Sequence, residues 1–153
     1  MTASSLSLPT TSLSSPPAPW RQAGFWMAVL IAALMYLNAV RTVINPVGFA
    51  NTMGLVLQAG ADVSWVRVYG LRALLIGLIV TYLLVRQDPG TLSWLALFGA
   101  VVALGDAWLV SNVAGATVPR HLSIAVFLVL AALALRRWQR KLAAPAVPGG
   151  QPA

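Results

Sequence analysis

Four stretches of this chain are apolar for about the length a helix needs to cross a bilayer. They run from about Gln22 to Ile44, Val63 to Val85, Leu92 to Asn112 and Pro119 to Arg137. A membrane-spanning helix takes roughly 20 residues at about 1.5 Å of rise each, and the first three runs meet that. The fourth is free of charge only from Leu122 to Leu135, so Arg120 and His121 are expected to be drawn to headgroup level or tucked into the bundle. Inside a bilayer no water can satisfy the backbone, which leaves helices as the solution for runs of this length. The expectation is therefore an all-α fold, a four-helix transmembrane bundle.

Composition excludes the main alternatives. Charged residues make up 8% of the 153 positions and mean hydropathy is +0.81, whereas a soluble domain carries about 25% charge. The net charge of +7 does not argue for nucleic acid, because the basic residues punctuate apolar runs and form no basic face with aromatics between them. With no cysteine, one histidine and three acids, thiolate chemistry and iron–sulfur clusters are excluded, and no cofactor or metal site is expected.

Residues 1–20 hold six Ser, three Thr and four Pro and no charge, a composition that does not offset its own ordering entropy. A disordered tail is expected there, a membrane domain over 21–141, and a second disordered tail over 142–153. The first run lacks a positive cluster ahead of it and exceeds a signal h-region in length, so an uncleaved helix is expected. The stretch from Asn45 to Asp62 contains Pro46, Gly48, Gly54 and Gly60 and reads as an interfacial or re-entrant loop. Arg86 to Gly90 reads as a turn.

Several polar residues lie where hydrocarbon is expected. A charge at mid-membrane costs about 2.5–3.5 kcal/mol on insertion scales, so each needs a partner or a purpose. By helical rise Arg67 and Arg72 lie ~6 and ~13 Å from the outer end of the second run, and Asp106 ~9 Å from the same end of the third. An ion pair between Asp106 and one of these arginines is expected. Asp106 shares a helical face with Gly99 and Ala103, the kind of small-residue seam along which membrane helices pack. Asn38, Arg41 and Asn45 form a stripe on the first helix, and His121 heads the fourth. The outer half is thus expected to enclose a polar pocket containing Asp106, Arg72 and His121, with Asn38, Arg41, Arg67, Tyr69 and Asn112 around it as ligand-binding residues. The plainer readings are a structural Asp–Arg pair, Arg41 and Arg120 snorkelling to headgroups, and the Arg136–Lys141 stretch anchoring on anionic lipid.

Asn45-Pro46-x-Gly48-Phe49-Ala50 with Gly54-Leu55, then Val66-Arg67-Val68-Tyr69-Gly70-Leu71-Arg72 with Gly77, then Ala103-Leu104-Gly105-Asp106, then His121, follow one another in that order. Over about residues 25–137 the chain resembles the small four-helix membrane proteins grouped as domain of unknown function 4267. The resemblance implies the four-helix membrane fold and no activity. In that pattern an acid commonly follows the second arginine, whereas Ala73 stands here.

The function expected from the residues is non-enzymatic binding of a lipid-like ligand or a membrane partner, including another copy of this chain. The alternative is a membrane-embedded enzyme acting on a lipophilic small molecule, with Asp106 and His121 as acid and base and Arg67 or Arg72 orienting. A transporter component is the least attractive reading, since no inverted repeat is visible. Six basic residues, Arg21, Arg86, Arg136, Arg137, Arg140 and Lys141, fall on the side of the termini and two, Arg41 and Arg120, on the other. The positive-inside rule places a multi-pass protein in the cell membrane with both termini cytoplasmic. Reporter fusions at Ala153 and near Gly115 are expected to report opposite sides, and a same-side result would overturn this topology.

Overall fold

The computed structural model describes residues 18–55, 57, 60–111 and 118–144, and the two expected tails, like Asn112, lie outside the described residues except at their inner margins. A 3-10 turn over Pro19–Arg21 leads into α1 (Ala23–Ile44), followed by α2 (Pro46–Thr52), α3 (Gly60–Val85), α4 (Pro89–Val110) and α5 (Val118–Ala143). No strand occurs among the described residues. α1, α3, α4 and α5 are each long and apolar enough to cross a membrane, and the protein is an all-α membrane protein. Below, the inner end is the one carrying the α3–α4 turn, and the outer end is the one carrying α2.

Helix ends follow from local chemistry. Asn45 caps α2, its Oδ1 accepting from the Gly48 amide at 2.8 Å, and Pro46 takes the first helical position, where its missing N–H is not needed. Asp88 caps α4 the same way, accepting from the Thr91 amide at 3.0 Å and the Thr91 hydroxyl at 2.6 Å. The Thr91 hydroxyl, then its amide, hold the Asp88 carboxyl below the usual carboxylate range. Both α2 and α3 close with the paired bonds of a Schellman motif, Leu55 to Ala50 with Gly54 to Asn51, and Asp88 to Leu83 with Gln87 to Leu84. The left-handed residue is Gly54 (φ 78) in the first and Gln87 (φ 51) in the second. The expected turn at Arg86–Gly90 is therefore a helix stop joined directly to a helix start.

Packing runs in the order α3, α1, α5, α4. α1 lies against α3, α5 against α4, and α1 against α5, while α3 and α4 meet only sparingly although they adjoin in sequence. Small residues make these approaches possible. A Cβ on Gly24 would meet the α5 backbone at Ala134 and Leu135, 2.9–3.0 Å away, consistent with the Gly24, Ala28 and Ala32 stripe, all buried. A Cβ on Gly70 would collide with the Thr42 hydroxyl, and one on Gly77 would meet the Tyr36 ring at 3.0 Å. On α4, Ala96, Ala100, Ala103 and Ala107 form the buried stripe.

The main core gathers at the inner end, where Ala28, Ala32, Val80, Leu92, Leu135 and Trp138 bring the four long helices together. Phe25 meets Trp138 edge-on at 6.1 Å. Lys141 Nζ donates to the buried Gln22 Oε1 at 3.0 Å. A smaller cluster at the outer end, Phe49, Ala50 and Val66, packs α2 against α3.

Two expectations need correction here. The Asn45–Asp62 stretch is not wholly loop, because the Asn45 cap and Pro46 start a helix inside it. The fourth span is not short: α5 runs for 26 residues through Arg136 and Arg137. Arg136 can lie at this level because its Nε donates to Ser93 Oγ at 3.2 Å and its guanidinium sits 5.0 Å over the Trp94 ring.

Replacing Gly70 with Ala is expected to destabilise the protein by ~1–3 kcal/mol, the usual cost of overpacking. Adding Thr42→Ala should recover part of that loss by removing the hydroxyl the new Cβ strikes. Melts of both single variants and the double variant in detergent measure this. Strictly additive losses would show that this contact does not set the α1–α3 spacing.

Candidate functional site at the outer end

α2 is fastened at both ends of its short length. After the Schellman bonds are made, the Thr52 carbonyl still lacks an intrahelical partner. Arg120 Nη1, from the first turn of α5, donates to it at 2.6 Å, a charge-assisted bond that also suits a helix C-terminus. One turn earlier, Phe49 packs its ring against Tyr69 of α3, with centroids 5.5 Å apart. Arg120, expected to snorkel to headgroups, is instead half-buried and turned onto protein. Sequence reasoning missed this bond, since nothing local to Arg120 announces an orphan carbonyl in another helix.

Tyr69 brings further groups together. Its hydroxyl lies within electrostatic reach of both the Asp106 carboxylate on α4 and the Arg120 guanidinium on α5. Asp106 itself is half-buried, beside the Ala103 and Ala107 stripe. The expected ion pair is not formed: among the described residues nothing joins Asp106 to Arg67 or Arg72. The reason is the packing order. α3 buries Val66, Gly70, Ala73, Gly77 and Val80 toward its neighbours, and Arg67 and Arg72 lie off that stripe, exposed. Equal depth gave the two helices a common level but not a common face. Ala73, which follows Arg72, is 3% exposed, so an acid there would be buried.

His121 is 8% exposed, and its Nε2 is buried without a hydrogen-bond partner among the described residues. Asn38 is half-buried on α1. Asn112 belongs to the segment outside the described residues.

Two recesses at the outer end are lined by residues other than Asp106, Arg72 and His121. One, of about 190 Å³, is walled by Arg41, Ile44, Asn45, Gly48 and Phe49 at the corner between α1 and α2. The second, of about 340 Å³, is an apolar groove along α1 and α3 walled by Tyr36, Ala39, Val40, Val43, Ile44 and Leu74. Ile44 belongs to both. The Tyr36 hydroxyl does not make the groove polar, because it is bonded to Thr81 Oγ1 at 2.8 Å. Arg41 and Asn45 from the expected stripe thus line a real concavity. Asn38 does not line it.

A family model described as Domain of unknown function (DUF4267) matches residues 32–135, a span that takes in the recess, the groove, Tyr69, Asp106, Arg120 and His121. No curated protein and no solved structure matches the chain.

Replacing Arg120 with Met keeps the length of the side chain and removes the bond to Thr52. A hydrogen bond from a charged group contributes about 1.5–3 kcal/mol, so hydrogen exchange in α2 is expected to quicken by roughly 10- to 100-fold while α4 stays protected. Unchanged exchange in α2 would mean that Arg120 does not hold it.

Proposed function

The chain belongs to the DUF4267 family, and on that premise we propose that this membrane protein binds a lipid-like ligand at its outer end. The observation that carries the proposal is that two unlike concavities share Ile44 as a wall. A recess with Arg41 and Asn45 on its wall lies at the outer end of the bundle, and an apolar groove runs along α1 from Ile44 to Tyr36. Binding sites for small molecules are concave, mostly apolar and marked by a few placed polar groups, and an amphiphile has this division of character. The acid/base alternative draws support from His121 Nε2 and from the charges flanking Tyr69. It needs Asp106 and His121 on one substrate, and neither recess contains them. With both termini cytoplasmic, as the basic residues argue, the site faces the non-cytoplasmic leaflet.

Native mass spectrometry of protein purified in a mild detergent tests the reading. The wild-type chain is expected to carry a lipid-sized adduct. Val43→Trp, which fills the groove from an exposed position, should lose it. A bare wild-type mass, or an adduct untouched by Val43→Trp, would sink the proposal.

A further inference from the structure

We infer that the ligand is an anionic phospholipid, its headgroup on Arg41 and Asn45 and one acyl chain in the α1–α3 groove; this rests on the binding reading above. The polar lining of the recess offers donors at the place where a headgroup would sit. Asn45 Oδ1 accepts from the Gly48 amide, and the side-chain amide nitrogen adds two N–H donors. Arg41 adds a guanidinium with five N–H donors and no acceptor. No carboxylate is among the lining residues. The acids of the chain are Asp62, Asp88 and Asp106. Asp88 caps α4 at the inner end, Asp106 stands on α4 beside the buried Ala103 and Ala107, and Asp62 has an interaction of its own. A headgroup with net negative charge finds a complement here. The ammonium of a zwitterionic one finds no acid on the recess wall.

The groove fixes how the rest of the molecule lies. From Tyr36 to Ile44 is eight residues, about 12 Å of helix, and half of a bilayer's hydrocarbon core is about 15 Å. The groove thus spans most of one leaflet, and Ile44 is common to it and the recess. Its walls are Ala39, Val40, Val43 and Leu74, which give an acyl chain side contacts and no polar atom to avoid. A chain held there with its phosphate at Arg41 keeps both halves in the medium each prefers. Arg41 merely snorkelling into bulk headgroups would attract anionic lipid without needing the groove.

The test is native mass spectrometry of the full chain in detergent, titrated with phosphatidylglycerol or with phosphatidylethanolamine of identical acyl chains. The wild type is expected to take up one lipid, with a preference for phosphatidylglycerol of about fivefold, the size one basic side chain contributes at a charged bilayer surface. Arg41→Gln should bring the two lipids to equal binding, and Arg41→Lys should keep most of the preference. Val43→Trp should abolish uptake of both. Equal uptake of the two lipids by the wild type would overturn the anionic assignment and leave lipid binding standing. A preference surviving Arg41→Gln would overturn the placement of the headgroup, and one surviving Val43→Trp would show bulk attraction in place of a site. Uptake of neither lipid would overturn the binding reading beneath it as well.

Discussion

Where α1 crosses α3, Gly70 leaves a gap that the Thr42 side chain fills, and the Ala39 carbonyl lies just beyond. In hydrocarbon, helices gain little from burying apolar surface against one another, so packing this close is what holds them together. The crossing decides the rest of the outer end. It sets Ala39, Val40 and Val43 beside Leu74 along one flank, where the groove runs. It leaves Arg41 and Asn45 at the mouth, and it puts Tyr69, next to Gly70 in sequence, under Phe49 of α2. A bulkier residue at position 70 would move all of these together.

The polar side chains within the helices mostly do not reach across. Thr42 donates to the Ala39 carbonyl, Thr52 to Phe49, Ser111 to Trp108 and Ser123 to Pro119. Each hydroxyl satisfies itself one turn back on its own helix, the usual solution where no water is at hand. Among the described residues the side-chain bonds from one element to another are few and identifiable: Tyr36 to Thr81, Ser93 to Ala132, Lys141 to Gln22, Arg120 to Thr52 and Arg136 to Ser93. Three of the five use a cation. Arg136, bonded to Ser93 and lying over the Trp94 ring, explains why α5 continues past the point where its charge-free run stops.

How much of this was legible in the sequence depended on range. The four spans could be read from the length of the apolar runs, and the family from short motifs, both of which are local. The ends of α2 were also written locally, in Asn45-Pro46 and in Gly54, but in a stretch whose glycines and proline suggested only loop. The Asp106–arginine pair was inferred from depth along two helices. Depth says nothing of rotation, nor of α3 preferring α1 to its sequence neighbour α4. Arg41 and Asn45 were singled out, yet the recess they line needed Gly48, Phe49 and Ile44 brought back by α2. Neither Arg120 on Thr52 nor the groove below Ile44 could be found without knowing which helices are neighbours.

The tie between Tyr36 and Thr81 has a direction. Thr81 Oγ1 donates to the Gly77 carbonyl at 2.8 Å, so its single proton is committed and the Tyr36 hydroxyl must be the donor in the bond they share. The sequence of bonds ends on a backbone oxygen, which has no proton to hand on. Although it lies within the membrane and links two helices, this row of hydroxyls is a strut and cannot conduct protons in either direction.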